Sequence, residues 1–433
     1  MPTFDPEFAP AGPLPSDLFL APPGIPPDLC LQCRGAKLLC GKPACPVLMR
    51  AYSAMRTRAL IGNSLTLEGS SPPAVFVGRT GYPKVAVGPL VPPTVGDTAV
   101  LDTPEAWVGK SVEEIIDFRQ QLVRGMHYVR VTDFDARDKV VERTRELALL
   151  ARPAVVDAAF RKRPVGRVVL DDEVQPFGPS APLAGVEVEN TPFDARLEKK
   201  FYDTDQAARG AVSDLYRDGL LVSQLQRAFS VGAFGDARRR RFVPTRWSIT
   251  AVDSMLGEEL MDKTRRAPTI DEHRVYETYD LDTRWFVLFM PTSWRYELIE
   301  AWYPETTWNP FGSEIVVMGD AEFYGGRRAY ASIGGCYYAA RLAVNEALVR
   351  EGRQAGVVIF RETHPGYVLP VGVWNVREHV RRAVAGAPRK YGTLEAALAR
   401  LREVMAIPLS RWVAESKVLT DLKRQRRLEA YLA

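Results

Sequence analysis

Four of the five cysteines in this 433-residue chain lie within sixteen residues, at Cys30, Cys33, Cys40 and Cys45. Their spacing is C-x2-C-x6-C-x4-C, and clustered cysteines in a cytosolic protein are typical of a metal site rather than of disulfides. Four thiolates favour tetrahedral Zn²⁺ and leave no coordination position open for a substrate. The cluster therefore predicts one structural zinc ion per chain in a small knuckle. An iron–sulfur cluster held by the same four thiolates is the alternative.

Acidic and basic side chains follow two predicted strands in the C-terminal half of the chain. Asp320 and Glu322 come after one strand, and Arg361 and Glu362 end the next one. If these strands are neighbours in a sheet, their C-terminal ends bring the side chains into one crevice. Asp320, Glu322 and Glu362 would then be catalytic candidates that bind Mg²⁺ or Mn²⁺, beside a helix opened by Gly334-Gly335 whose amides would bind a nucleotide phosphate. A structural network of turns and salt bridges is the alternative.

A second segment suited to phosphate extends from Gly69 to Leu90. Two β-branched runs flank a Gly/Pro turn, which predicts a β-hairpin, and turn amides can cradle an anion. Arg79 and Lys84 add positive charge to this segment. Three further arginines are candidates for contacts with phosphate or nucleic acid, namely Arg246, Arg341 and Arg361. Surface salt bridges are the alternative role for these residues.

The extreme C-terminus, residues 425–433, contains Gln425, Leu428, Tyr431 and Leu432. This pattern resembles the peptide that docks on sliding DNA clamps. One helical turn places Leu428 and Tyr431 on the same face, and with Leu432 they form an apolar plug for a hydrophobic pocket. Gln425 can hydrogen-bond beside that pocket, and the basic residues around it suit an acidic partner or DNA. The alternative is an amphipathic helix end that docks on its own domain.

Composition limits the class of protein. The chain is 46% hydrophobic and 25% charged with a net charge of +4, which is ordinary for a globular protein and does not demand a nucleic-acid partner. No uninterrupted apolar stretch reaches the ~20 residues that a membrane span needs, and the proline-rich, acidic N-terminus is unlike a signal peptide. We therefore expect a cytoplasmic protein without membrane association. The sequence signatures of P-loop ATPases and zinc deaminases are absent.

Strand and helix patterns alternate along the chain, which predicts a mixed α/β (α+β) fold. Ser111 and Glu114 form a capping box that predicts a helix start. Longer patterns predict a helix over 136–160, a strand over 242–250 that continues into a helix, and a helix over 336–350. The predicted fold adds the four-cysteine zinc knuckle at the N-terminus and the short clamp-binding peptide at the C-terminus.

Five separated blocks, in this order, resemble the archaeal Nre family: Leu29–Pro46, Gly69–Leu90, Val243–Asp253, Gly335–Asn345 and Gly372–Glu378. The resemblance implies DNA-damage repair, a metal motif at the four cysteines and a C-terminal peptide that binds the sliding clamp (PCNA). Clamp peptides often end in two aromatic residues, whereas the second position here is a leucine, which keeps the apolar plug but lacks the ring.

We therefore divide the chain into five segments and consider three functions. The first function is a DNA-damage repair factor that is tethered to the sliding clamp, lies in the cytoplasm at the nucleoid, and binds DNA or recruits repair enzymes. The second is a metal-dependent nuclease or nucleotide-processing enzyme, and the third is a scaffold without affinity for DNA. The segments are a proline-rich irregular stretch (1–27), the metal knuckle (28–48), an Nre-like N-terminal region (49–272), an Nre-like C-terminal α/β region (273–416) and a basic tail (417–433).

Overall fold

Two six-stranded β-sheets organise the part of the chain that the structure describes. The structure is a computed structural model, and it describes residues 29–30, 33, 37–42, 45–133, 138–165, 177–304, 306, 308–309, 312–367 and 370–424. Helices pack on both sheets, so the predicted mixed α/β class is confirmed. The predicted segment 1–27 and the peptide 425–433 lie outside the described residues. Throughout the described ranges, every helix is too short or too polar to cross a bilayer.

The first sheet is built from the N-terminal half of the chain. Its strands are β1 (Thr66–Ser71), β2 (Val75–Val77), β3 (Lys84–Val91), β4 (Val123–Arg130), β5 (Ala154–Phe160) and β6 (Ser180–Val188). They lie in the order β1-β5-β6-β4-β3-β2, and neighbours are antiparallel except for the parallel pair β4 and β6. The antiparallel pair β2 and β3 is the hairpin that the segment from Gly69 to Leu90 predicts.

Helices pack against both faces of this sheet. They are α1 (Pro46–Ile61), α2 (Val112–Gln121), α3 (Lys139–Leu149), α4 (Ala195–Tyr202), α5 (Ala208–Arg217), α6 (Val222–Ser230) and α7 (Thr245–Thr264). The predicted capping box starts α2, because the amide of Glu114 donates to the Ser111 hydroxyl at 3.1 Å and the Ser111 amide donates to the Glu114 carboxylate at 2.9 Å. Apolar residues of α3, α5, α6 and α7 share one core with the strands.

The second sheet lies between two layers of helices. Its strands are β7 (His273–Asp280), β8 (Thr283–Met290), β9 (Arg295–Trp302), β10 (Val316–Glu322), β11 (Gly356–Thr363) and β12 (Arg389–Tyr391). They lie in the order β10-β9-β11-β8-β7-β12, and only β9 and β11 are parallel neighbours. All residues of β9 and β11 are buried, as expected for strands that are covered on both faces. The covering helices are α8 (Gly335–Glu351) and α9 (Trp374–Ala385) on one face, and α10 (Leu394–Val404), α11 (Leu409–Glu415) and α12 (Lys417–Arg424) on the other.

The long helix α7 connects the two halves by packing against the start of α8 and α9. The contact is close at Gly335, where a Cβ atom would lie 3.1 Å from Thr250 Oγ1 and 3.1 Å from Val373 Cγ2. Only a residue without a side chain fits this approach without displacing its neighbours. The three helices therefore meet at a fixed junction.

Two sequence predictions of secondary structure are wrong. The predicted helix 136–160 is helical only over Lys139–Leu149, and its last part is strand β5. Pro153 precedes that strand, and proline disfavours helix at and before its own position. The predicted strand 242–250 is also absent from the described residues, because α7 begins at Thr245 directly after Pro244. The predicted helix 336–350 is confirmed as α8.

Candidate functional site

The predicted crevice around Asp320 and Arg361 is not formed. Strand β9 lies between β10 and β11, and it is antiparallel to β10 and parallel to β11. Strands β10 and β11 therefore run in opposite directions, and their C-terminal ends lie at opposite ends of the sheet. Glu362 also lies on the opposite face from Arg361, since side chains alternate along a strand. There it accepts hydrogen bonds from the amides of Ala406 (3.2 Å) and Ile407 (2.6 Å). The prediction of one acidic, arginine-lined crevice is therefore wrong.

The two carboxylates of β10 hold structural elements in place. Asp320 accepts hydrogen bonds from the Ser332 amide at 2.8 Å and the Arg327 guanidinium at 2.9 Å. Burial raises the pKa of Asp320, but these hydrogen bonds outweigh burial, so the pKa is lowered overall. Glu322 is buried and pairs with Arg341 of α8 at 3.0 Å. Asp320 thus fixes the loop that leads to α8, and Glu322 fixes the helix itself.

Two of the arginines predicted to contact phosphate are buried in ion pairs. Arg341 pairs with the β10 carboxylate described above, and Arg361 pairs with Glu300 at 2.7 Å. The Arg361 guanidinium also lies 4.6 Å from the ring centroid of Trp302 and 4.9 Å from that of Trp285. Burial lowers the pKa of Arg361, but the Glu300 carboxylate outweighs it and the pKa is raised. These two predictions are wrong, because a buried and paired guanidinium presents no charge to a phosphate on the surface.

The other three predicted phosphate contacts lie on the surface near one another. Arg79 and Lys84 are exposed on and beside the turn between β2 and β3, and Arg246 is exposed in the first turn of α7. The amide of Val77 at the end of β2 donates to the Thr245 hydroxyl at 2.9 Å, which fixes the hairpin to the start of α7. The structure therefore brings these three residues to the same end of the first sheet.

A buried ionic network lies where α7 meets α9. Arg377 donates two hydrogen bonds to Asp253, at 2.9 and 3.1 Å, and Gln226 donates a third at 3.0 Å. Arg377 also donates to Glu378 at 3.1 Å. Burial raises the pKa of Asp253 to about 6, although Arg377 opposes this shift. The network links elements far apart in sequence, and it is closed to solvent, so its role is to join them.

The four clustered cysteines lie near one another just before α1. Cys33 is buried and the other three are half-buried. Burial raises the pKa of the Cys30 thiol, and the neighbouring Cys45, Cys40 and Cys33 raise it further. Within the described residues, however, no group of three or more His, Cys, Asp or Glu side chains is arranged to hold a metal ion. The donor set suits zinc, and zinc binding stays a prediction.

The C-terminal peptide follows a helix that is fixed to the second sheet. The buried carboxylate of Glu297 accepts hydrogen bonds from the Ser416 hydroxyl and from the amides of Lys417 (2.7 Å) and Val418 (3.2 Å) at the start of α12. Carboxylates at a helix N-terminus satisfy amides that have no partner within the helix. The peptide residues Gln425, Leu428, Tyr431 and Leu432 lie outside the described residues, directly after the end of α12.

Two family models match the chain in succession. Residues 39–309 match the model described as archaeal Nre, N-terminal, and residues 322–431 match archaeal Nre, C-terminal. The chain belongs to the archaeal Nre family. The C-terminal match extends into the peptide 425–433, and the resemblance drawn from the five sequence blocks is confirmed.

Three relatives cover most of this Nre chain. DNA repair protein NreB of Archaeoglobus fulgidus is 40% identical over 404 residues, which are 93% of this chain and 100% of the relative. DNA repair protein NreA of the same organism is 37% identical over 85% of this chain and 92% of its own length. DNA repair protein NreA of Haloferax volcanii is 35% identical over 80% of this chain and 84% of its own. No solved structure matches the chain.

The buried network is a feature that sequence reasoning missed in this Nre protein. Asp253 lies in the region that matches the N-terminal family model, and Arg377 lies in the region that matches the C-terminal one. Both residues belong to blocks that carry the family resemblance, yet their partnership spans 124 positions. The signal was Asp253 beside apolar residues in α7, and such a local pattern does not identify the partner.

Proposed function

We propose that this protein is a DNA-repair factor that binds DNA and is tethered to a sliding clamp by residues 425–433. The observation that carries the proposal is the likeness to DNA repair proteins over 80 to 93% of the chain, at 35 to 40% identity. That likeness includes both sheets and is not confined to a single motif. The proposed repair role therefore rests on a likeness along most of the chain.

The tether is supported by the way in which α12 is held. Glu297 caps the start of the helix, and Arg295 pairs with Asp421 at 2.8 Å along its length. The helix ends with the exposed basic pair Lys423 and Arg424, directly before the peptide. A peptide that starts from a fixed, basic surface can reach a partner without loss of its anchor.

Titration of the intact protein with the sliding clamp of its organism tests the tether. Leu428→Ala combined with Tyr431→Ala removes two apolar anchors, each worth roughly 1.5–3 kcal/mol when buried. We therefore expect affinity for the clamp to fall by at least roughly 100-fold. Leu65→Ala combined with Tyr202→Ala is the matched control, because both side chains are exposed on the body of the protein. Unchanged affinity of the tail variant would remove the peptide from the proposal.

A measurement of DNA binding distinguishes the proposed repair factor from a scaffold that has no affinity for DNA. Phosphate contacts release counterions, so affinity for DNA must fall steeply as salt is raised. A salt-dependent isotherm with single-stranded or duplex DNA is the expected result. A protein with no affinity for either form would be the scaffold instead.

We also propose that Cys30, Cys33, Cys40 and Cys45 hold one zinc ion. Four thiolates would close its coordination sphere, so the ion would stabilise the segment before α1 and leave substrate untouched. Metal binding by so small a segment is coupled to its folding. The nuclease hypothesis receives no such support, since its three candidate carboxylates are held by amides and guanidinium groups of the fold.

A further inference from the structure

An exposed pair of aromatic side chains lies at the start of α7. Tyr82, in the turn between β2 and β3, is 48% exposed, and Trp247 in the first turn of α7 is 46% exposed. Their ring centroids are 5.1 Å apart at an interplanar angle of 56°. Two large rings that contact each other and still face water leave apolar surface that a partner can cover.

A stripe of residues along one face of α7 leads from this pair to further exposed rings. Trp247, Thr250, Ser254, Glu258, Met261 and Arg265 follow one another at three- and four-residue steps, so they share one face of the helix. Arg265 lies eighteen positions after Trp247, which is a length of about 27 Å at ~1.5 Å per residue.

The loop between β10 and α8 follows this stripe and carries the other rings. At the far end, the Arg265 guanidinium lies 5.5 Å from the ring centroid of the exposed Tyr324. One turn after Trp247, Gly335 packs against Thr250, and a Cβ atom on Gly334 would lie 4.0 Å from the hydroxyl oxygen of Tyr330. The Tyr330 side chain is 65% exposed. Exposed rings therefore occur at the start of α7, in the loop beside its first turns, and at its C-terminal end.

Positive side chains accompany these rings. Lys84 lies two residues after the first tyrosine, and its register partner across the sheet is Arg130. Both are exposed, as is Arg328 in the loop that carries the other rings. Three carboxylates also lie in this region: Asp133 beside the backbone of Arg130, Asp262 at 3.6 Å from Arg265, and Glu258, which lies on the same face of α7 and pairs with Arg209. Rings interspersed with cations are the composition of surfaces that bind single-stranded nucleic acid.

We propose that the rings of Tyr82, Trp247, Tyr330 and Tyr324 form a track on which unpaired bases of single-stranded DNA stack. The faces of bases in a duplex are covered by neighbouring base pairs, so exposed rings can reach them only in an unpaired strand. A length of about 27 Å accommodates at most roughly eight nucleotides at ~3.4 Å each. This inference rests on the proposed DNA-binding function and specifies the form of DNA and the surface that takes it.

Titration of the full-length protein with a labelled twelve-nucleotide oligo-dT tests the track. Tyr82→Ala combined with Trp247→Ala should weaken binding by roughly 10- to 100-fold, and Tyr330→Ala by roughly 10-fold, because each stacked ring contributes to affinity. Tyr202→Ala should have no effect, since Tyr202 is an exposed tyrosine that contacts only Phe201 among the described rings and lies outside the α7 stripe. Trp247→Phe should retain affinity but lose the part of the fluorescence quench that comes from base stacking.

The possible results separate this inference from the proposed function. Wild-type protein that binds single-stranded DNA with an affinity unaltered by the aromatic substitutions would overturn the track and leave DNA binding intact. Wild-type protein that binds duplex in preference to the single strand would also overturn the track. Protein that binds no form of DNA would refute the proposed DNA binding itself. A change in self-association caused by the same substitutions, with DNA affinity unchanged, would identify the surface as a contact between copies of the chain.

Discussion

Replacement of Asp253 by alanine should remove the buried partner of Arg377 at the contact between α7 and α9. The Asp253 side chain is completely buried and accepts two hydrogen bonds from Arg377, at 2.9 and 3.1 Å. A buried charge that loses its partner typically costs about 3–5 kcal/mol of stability. Glu378 remains at 3.1 Å from Arg377 in the variant, so we expect a loss near the lower limit, about 3 kcal/mol.

Removal of both charges should be less damaging than removal of one. Asp253→Leu combined with Arg377→Met replaces the buried pair by apolar side chains, a change that is often neutral or stabilising. The double variant should therefore be more stable than Asp253→Ala. If the double variant loses as much as the sum of the single changes, the electrostatic reasoning fails.

The raised pKa of Asp253 predicts that the stability of the protein depends on pH. Burial raises the pKa of Asp253 to about 6 from its usual 3.8, so the folded protein holds this proton more tightly than the unfolded chain does. The resulting stabilisation is complete below about pH 4 and is lost as the pH rises through 6. Two pH units at about 1.4 kcal/mol each give about 3 kcal/mol. Asp253→Asn should remove this part of the slope, whereas Glu378, whose pKa burial also raises, keeps its own part.

Urea denaturation at pH 5 and pH 7 measures these changes, with amide hydrogen exchange to report on α7 and α9 separately. We expect lower protection in both helices in the Asp253→Ala variant. A loss below about 1 kcal/mol, with protection in α9 unchanged, would show that the network does not join the two halves and would refute the reasoning from burial.

Two further predictions concern the metal and the helix junction. Elemental analysis should find about one zinc per chain, and Cys45→Ser should lower that content and loosen the segment before α1; iron in place of zinc would contradict the assignment. Gly335→Ala places a methyl group 3.1 Å from Thr250 and Val373 and should destabilise the protein by roughly 1–3 kcal/mol. Gly185→Ala in β6 is the matched control, because a Cβ atom there meets nothing within 4 Å; equal melting temperatures for the two variants would disprove the close approach.

Local signals in the sequence predicted several elements well. The capping box at Ser111 and Glu114 fixes the start of α2 through two reciprocal hydrogen bonds, and both residues are visible in the sequence. Helix α8 was predicted from its length and its glycine start. The helix predicted over 136–160 failed in its second part, because short apolar runs fit a buried strand as well as a helix. Pro153 was the signal that should have divided them.

The arrangement of the predicted site could not be predicted from local patterns in the sequence. The crevice around Asp320 required β10 and β11 to be parallel neighbours, and strand order depends on contacts between distant segments. Arg361 looks the same in sequence whether it faces solvent or, as here, is buried against Trp285 and Trp302. The exposed hairpin with Lys84 was found because its turn residues and its charge are adjacent in sequence.

Survival after DNA damage tests the central proposal most directly. A strain of the host that lacks this gene should be more sensitive to DNA-damaging agents than its parent, and the wild-type gene should restore resistance. The gene with Leu428→Ala and Tyr431→Ala should restore it only in part, because the protein would no longer be held at the clamp. Equal survival of the deletion strain and its parent across several classes of DNA lesion would contradict the account.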